Sequence, residues 1–330
     1  MKELLSGIAL LTLLSSQSLT AQRIAFGSCS RHTSENQLWN EVNNLSPDIW
    51  IWAGDNIYAD THDMDKMREM YNLQKNRPGY KTLEKQSVIY GTWDDHDYGV
   101  NDGGKFFPQK EKSKDELLKF LNVPEVAEVR NHEGVYQSYT TGEGKRKVKI
   151  ILLDTRYFRD TLMASATKEK RYEINPDGDI LGEEQWMWLE KELSNSDAKL
   201  HIIVSSIQFI ANDHGFEKWG NFPKARQRMI DLLTKVKPSF TFFISGDRHM
   251  AEISKFDLPG LPYPLFDVTS SGLTHTWTIA GTEKNTARTG PLIVERNFGL
   301  IDLSWKKGKP AVNVQLVGPG GKILHSRQLK

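Results

Sequence analysis

The chain has 330 residues, 43 Lys and Arg against 42 Asp and Glu, a formal net charge of +1 and one cysteine. With that balance nothing favours nucleic acid or an anionic membrane as an obligatory partner, although local basic patches are compatible with it. A single cysteine excludes an internal disulfide, so Cys29 is buried, bonded to another chain or held as a metal thiolate.

Lys2, an apolar stretch from Leu4 to Leu14, and small or polar residues ending Thr20-Ala21-Gln22 come first along the chain. The stretch is too short to span a bilayer as a helix and precedes a cleavage point after Ala21. Residues 1–21 are therefore expected to be a signal peptide, and the protein to be secreted or periplasmic. No later segment is long or apolar enough to cross a membrane. Residues 22–330 suffice for one large domain, and motifs spread from Cys29 to His249 imply one site built by the whole chain.

Strands are predicted at Arg23–Phe26, Asp48–Ala53, Ser87–Thr92, Val148–Leu153, Leu200–Ser206, Phe240–Ser245, Pro264–Thr269 and Phe298–Leu303. Two more are expected near Ala311–Val317 and Lys322–Gln328, joined by the Gly318-Pro319-Gly320-Gly321 turn. Helical periodicity marks Ser34–Asn44 with Ser34 as N-cap, Asp63–Gln74, Lys114–Leu121, Gly182–Leu193 and Pro223–Val236. Arg159–Asp179 is polar and reads as a long surface loop near the site. The βα alternation followed by a β-rich half predicts an α/β fold of two packed sheets with helices outside.

Three acidic clusters follow strand ends: Gly54-Asp55-Asn56-Ile57-Tyr58, Trp93-Asp94-Asp95-His96-Asp97 and Gly246-Asp247-Arg248-His249. Gly27-Ser28-Cys29 closes a fourth strand. Carboxylates just past apolar strands sit at the rim of the core, where several converge on one cleft, and such convergence needs a cation. Two adjacent cations bridged by a carboxylate and a hydroxide lower the pKa of that water from 15.7 toward roughly 7. Asp55 is the expected bridge, with Gly54 allowing the sharp turn. Tyr58 either coordinates a hard trivalent ion or packs. Asp247 and His249, one residue apart, project to one side of an extended segment and could share a metal, and Asp95 completes the shell of the second metal.

His96, flanked by Asp95 and Asp97, is better placed as a general acid whose ring Asp97 orients. Cys29 suits iron or zinc, and the carboxylates suit calcium, magnesium or manganese, so a mixed site is expected. Arg156 either binds a substrate phosphate or pairs with Asp154 as scaffold. Trp219 and Phe222 line the cleft or pack. His32 is expected in an exposed loop.

The order Gly-Asp-x-x-Tyr, Asp-His-Asp and Gly-Asp-x-His resembles the calcineurin-like metallophosphatase superfamily. More closely, Gly27-Ser28-Cys29, Trp93 to Asp97, Leu153-Asp154-Thr155-Arg156, Gln185-Trp186-x-Trp188-Leu189, Trp219 to Pro223 with Arg226, and Gly246 to His249 resemble the PhoD (alkaline phosphatase D) family. The resemblance covers nearly all of the chain after residue 21. It implies a four-layer αββα fold and an exported phosphomonoesterase or phosphodiesterase using Fe3+ with Ca2+, Zn2+, Mn2+ or Mg2+ being the other candidates. It further implies Cys29, Asp55 and Tyr58 around the iron, Asp95, Asp247 and His249 completing the two sites, and Asn101 and Asp102 near a further calcium. Two departures stand out. Better known members carry an extra β-domain before Gly-Ser-Cys, whereas here that motif follows the leader directly. Asp95 replaces the asparagine ligand usual in the superfamily. The rival readings are an exported phosphate- or metal-binding protein without turnover and a thiol hydrolase with Cys29 as nucleophile.

Overall fold

The computed structural model describes residues 22–330 apart from 36, 168–169 and 279–282, so the expected signal peptide lies outside the described residues. One six-stranded sheet contains β1 (Gln22–Gly27), β2 (Ile49–Ala53), β3 (Val88–Thr92), β12 (Phe298–Lys306), β13 (Lys309–Val317) and β14 (Ile323–Gln328), in the order β14-β13-β12-β1-β2-β3. The second contains β4 (Gln137–Thr141), β5 (Val148–Leu152), β8 (Leu200–Val204), β9 (Thr241–Ser245), β10 (Ala251–Phe256) and β11 (Leu265–Ser270), in the order β10-β11-β9-β8-β5-β4. Each sheet is mixed: β1, β2 and β3 run parallel, as do β5, β8, β9 and β11, while the flanking strands are antiparallel.

The sequence of β2, Ile-Trp-Ile-Trp-Ala, shows why the layers form. Every residue is buried, but alternate side chains enter different cores. Ile49, Ile51 and Ala53 join Ile150, Ile202, Val204 and Ile244 of the opposing sheet in the central layer. Trp50 and Trp52 face outward onto α1 (Trp39–Asn44), α2 (Met64–Lys75) and α3 (Pro78–Gln86), where Trp39 meets both indoles edge-on at 5.2 and 5.4 Å. On the other side Ile151, Ile203 and Phe243 pack beneath α6 (Gly182–Ser194) and α7 (Pro223–Val236). The result is the four-layer αββα sandwich of the sequence expectation.

Several boundaries differ from it. The helix expected from Ser34 begins only at Trp39, with Leu38 and not Ser34 at its N-cap, because residues 31–35 turn back through the Ser34 N–H to Arg31 carbonyl bond. Asp63 does cap α2, accepting from Asp65 and Lys66 N–H. The four-residue α4 (Asp95–Tyr98), α3, β4 and β10 were not expected; β4 is a polar edge strand with weak apolar alternation. The next helix, α5, begins at Lys110 and ends at Phe120. Inside the expected loop, β6 (Met163–Ala164) and β7 (Tyr172–Glu173) form a small hairpin. Trp219 and Phe222 are fully buried and pack in the core. No helix among the described residues is long and apolar enough to cross a membrane.

His201 of β8 is also fully buried, its Nε2 2.8 Å from Ser196 Oγ. Burial depresses its pKa to about 4. A depressed histidine contributes stability above its unfolded pKa and loses it as pH falls toward the folded value, so the protein should weaken by about 2 kcal/mol between pH 6.5 and 4.5 from this group alone. Urea unfolding of wild type and His201→Gln at both pH values tests this: the variant's loss should be smaller by that amount, and parallel losses would refute the assignment.

Candidate metal centre

All the parallel strands end on one rim, and the residues following β1, β2, β3, β5, β8 and β9 build the site. The turns are tight. Cys29, Asp55, Asp247 and His249 have φ of 58°, 52°, 67° and 51°, in the left-handed region that non-glycine residues rarely adopt. The Asp247–His249 segment is therefore a turn and not the extended stretch expected from the sequence. Gly54, with φ of 94°, brings β2 against β3 so closely that a Cβ there would lie 2.6 Å from Asp94 Cβ.

Asp97 ties these two strand ends together. Its Oδ1 accepts from the N–H groups of Asp55 (3.1 Å) and Asp94 (2.7 Å), and its Oδ2 from Asn56 N–H (3.2 Å) and Tyr71 Oη–H (3.3 Å). It does not orient His96, as expected from the sequence; that partner is Asp60, whose Oδ2 is 2.8 Å from His96 Nδ1. Adjacent side chains on a helical turn diverge, so the residue next to His96 points into the fold while Asp60 arrives from the β2 side.

Cys29, Asp55 and Tyr58 come together as expected. Cys29 Sγ lies 3.3 Å and Tyr58 Oη 3.4 Å from Asp55 Oδ2, and Ser271 Oγ is 2.9 Å from the sulfur. Ligand-type atoms of Asp55, Asp95 and His96 lie within 4.8 Å of one another, as do those of Asp94, Asp95 and Asp247. The residue common to both groups is Asp95, not Asp55. Asp95 Oδ1 accepts from His96 N–H at 2.9 Å and its Oδ2 from Asp102 N–H at 2.6 Å. His249 lines the same cleft, its ring 4.5 Å from His275 and stacked 5.4 Å from Trp277. Asn101 and Asp102 line it too.

Burial and mutual repulsion raise the Asp55 and Asp247 carboxyls well above the usual range, and burial pushes Asp94 to about 7 despite Arg156. Burial also works against Asp95, but the charges of Arg156 and His96 and the two N–H donors hold it down at about 2. Asp55 Oδ1, Asp94 Oδ2 and His249 Nδ1 are buried without a hydrogen-bond partner. Orphaned oxygen and nitrogen atoms beside crowded carboxylates are what a cation would satisfy, so the donor set fits metal ions.

Arg156 is fully buried, its guanidinium is engaged by internal carboxylates and it does not line the cleft, which favours the scaffold alternative. Its scaffold partners are also other than expected. Only its backbone N–H meets Asp154, while the guanidinium pairs with Asp94 through Nε at 2.5 Å and with Glu217 through Nη1 at 2.6 Å. Arg159 Nε is 3.0 Å from Glu217 Oε1. Asp94 stood in a visible acidic run, but Glu217 and Asp60 carried no local signal. His32 is 5% exposed, and its Nδ1 accepts from Tyr58 N–H at 3.4 Å, so it supports the site and is not an exposed loop residue.

Fold and site define a two-sheet metallophosphatase-type protein, with buried carboxylates clustered at the ends of parallel strands. Residues 24–283 match the PhoD-like phosphatases, and the chain belongs to that family. It is 24% identical to alkaline phosphatase D of Bacillus subtilis strain 168 over 276 residues, 68% of this chain but 45% of that protein. The chain thus spans under half the length of that curated relative. In structure it is similar to PhoD, with a TM-score of 0.72 at 16% identity over 94% of this chain and 72% of the other. It is also similar to a dimetal phosphatase from Danio rerio, with a TM-score of 0.55 at 13% identity, covering 94% and 98%.

Arg156→Met should leave Asp94 buried without its cationic partner and Glu217 with Arg159 alone, lowering stability by roughly 3–5 kcal/mol. Denaturant unfolding checks this; an unchanged midpoint would show that the pair carries no structural weight.

Proposed function

We propose that this chain is an exported metal-dependent phosphoesterase that hydrolyses phosphomonoesters or phosphodiesters, with residues 22–330 as one catalytic domain behind a signal peptide at 1–21. Membership of the phosphatase family supports the ester substrate class. The observation that carries the metal reading is the set of unpartnered buried atoms, Asp55 Oδ1, Asp94 Oδ2 and His249 Nδ1, beside two carboxylate groups. Cys29, Asp55 and Tyr58 would hold the ion that tolerates a thiolate, Fe3+ by preference, and Asp94, Asp95 and Asp247, with His249, a second such as Ca2+. Zn2+, Mn2+ or Mg2+ would fit the same oxygen and nitrogen donors. Bound cations would supply the positive charge that activates water and offsets charge developing on the phosphoryl oxygens.

The protein's own part is to position and to move a proton. His96 rests against the Tyr58 ring at 4.2 Å, with Nδ1 on Asp60. Burial alone would lower its pKa, but the charge of Asp55, the Asp60 hydrogen bond and the charge of Asp95 raise it to about 10. With Nδ1 held by Asp60, a protonated His96 would present its Nε2–H at the cleft to the leaving alcohol. The thiol-hydrolase alternative is disfavoured: Cys29 is buried, its sulfur meets Ser271, Asp55 and Ser28, and burial lifts its pKa to about 11. The binding-protein alternative has no use for a charged His96 aimed at the cleft.

Asp55→Asn should reduce turnover by more than the roughly 10- to 100-fold that a change outside the ligand set costs, with loss of bound metal by elemental analysis. Full turnover with full metal content would refute the reading. His96→Ala should slow alkyl phosphate esters by about 100-fold or more while sparing nitrophenyl esters, whose leaving group needs no proton. Equal slowing of both would remove His96 from the acid role.

A further inference from the structure

Beside the cleft lies a cavity of about 380 Å³, within the roughly 300–1,000 Å³ of ligand sites. Val100, Phe106, Phe107 and Leu162 form its apolar walls, and Lys105 and Tyr172 part of its rim. Asp102 and Tyr172 line both spaces and are joined by a 2.5 Å hydrogen bond from Tyr172 Oη to Asp102 Oδ2. Asp102 N–H in turn donates to Asp95, so this partition stands one hydrogen bond from a proposed ligand.

We propose that this cavity receives the leaving alcohol of a phosphate diester, and that the alcohol it selects carries an aromatic ring. The proposal rests on the phosphoesterase reading. In the step concerned, a water oxygen bonds to phosphorus, the bond from phosphorus to the alcohol oxygen breaks, and that oxygen takes the His96 proton. The proton released by the water restores His96. With phosphorus in the cleft, the departing group on the Asp102 side extends past the Asp102–Tyr172 pair into the cavity.

Two features specify the occupant. Phe106 is 75% exposed, which contributes nothing to the fold, yet it stands at the cavity with Lys105 Nζ 5.2 Å from its ring centroid. Phe107 is flanked by Tyr98 at 5.3 Å and His62 at 5.0 Å, both rings tilted against it at 51° and 47°, so an aromatic cluster backs the wall behind Phe106. The wall is also preformed. Arg159 Nη2 donates to the Asp102 and Gly103 carbonyls at 2.5 and 2.7 Å, and Lys105 N–H to the Arg159 carbonyl at 2.9 Å. A rigid wall spares the ordering cost of closing around the guest.

The test uses the metal-loaded full chain and two methyl phosphate diesters whose leaving alcohols have similar acidity, 2-naphthylethanol and n-butanol. Wild type should prefer the naphthyl ester in kcat/KM by about tenfold or more, the factor that burial of one ring supplies. Phe106→Ala should keep the butyl ester rate and lose most of that preference. Naphthylethanol alone, followed by its fluorescence, should bind wild type and not Phe106→Ala. Turnover without a naphthyl preference, a preference that survives Phe106→Ala, or equal binding of n-octanol in competition would overturn the cavity assignment and leave the phosphoesterase reading intact. Failure of both diesters and of the corresponding monoesters would overturn both.

Discussion

Crowding of carboxylates in a space with little water is the constraint on which the rest of the structure depends. Asp55, Asp94 and Asp95 are buried at the ends of two adjacent strands, and Asp247 reaches them from the other sheet. The Arg156 guanidinium is inserted among them, and Glu217 shares it. The raised pKa values of Asp55, Asp94 and Asp247 express the same imbalance: the protein alone supplies too little positive charge for all to ionise together. In the proposed reading, bound cations complete the site and offset that repulsion.

Holding that arrangement requires strain and its compensation. Four proposed ligands sit in left-handed backbone conformations, each costing on the order of 1–3 kcal/mol, and surrounding hydrogen bonds fix them there. Asp97 is central to this compensation, since one carboxylate gathers N–H groups from both strand ends. Ser271 does the same on the other sheet, meeting the Cys29 sulfur and the His249 N–H. Carboxylate and hydroxyl groups outside the proposed ligand set thus decide where the proposed ligands are placed.

The segment between β5 and α6 links this centre to its surroundings. Arg159 pins the Asp102–Lys105 loop, and Arg171 and Tyr172 return from the hairpin to grip Asp102 at 2.5 Å each. Proposed ligands and proposed substrate wall are therefore parts of one hydrogen-bonded assembly.

Much of this was legible in the sequence, because strands buried on both faces appear as uninterrupted apolar runs and a strand end followed by Gly-Asp marks a turn whose carboxylate meets the rim. The layers, most strands, and Cys29, Asp55, Asp95 and Asp247 follow from such local signals. The roles that misled were those requiring direction across space. Whether Asp97 or Asp60 meets His96, whether Arg156 faces phosphate or Asp94 and Glu217, and which carboxylate stands between the two ligand groups depend on how separate loops close over one another. Spacing along the chain determines which side chains share an element and so which chemistry is at hand. The packing of two sheets, which brings Cys29 and Thr274, 245 positions apart, into hydrogen-bond contact, decides which of them meet.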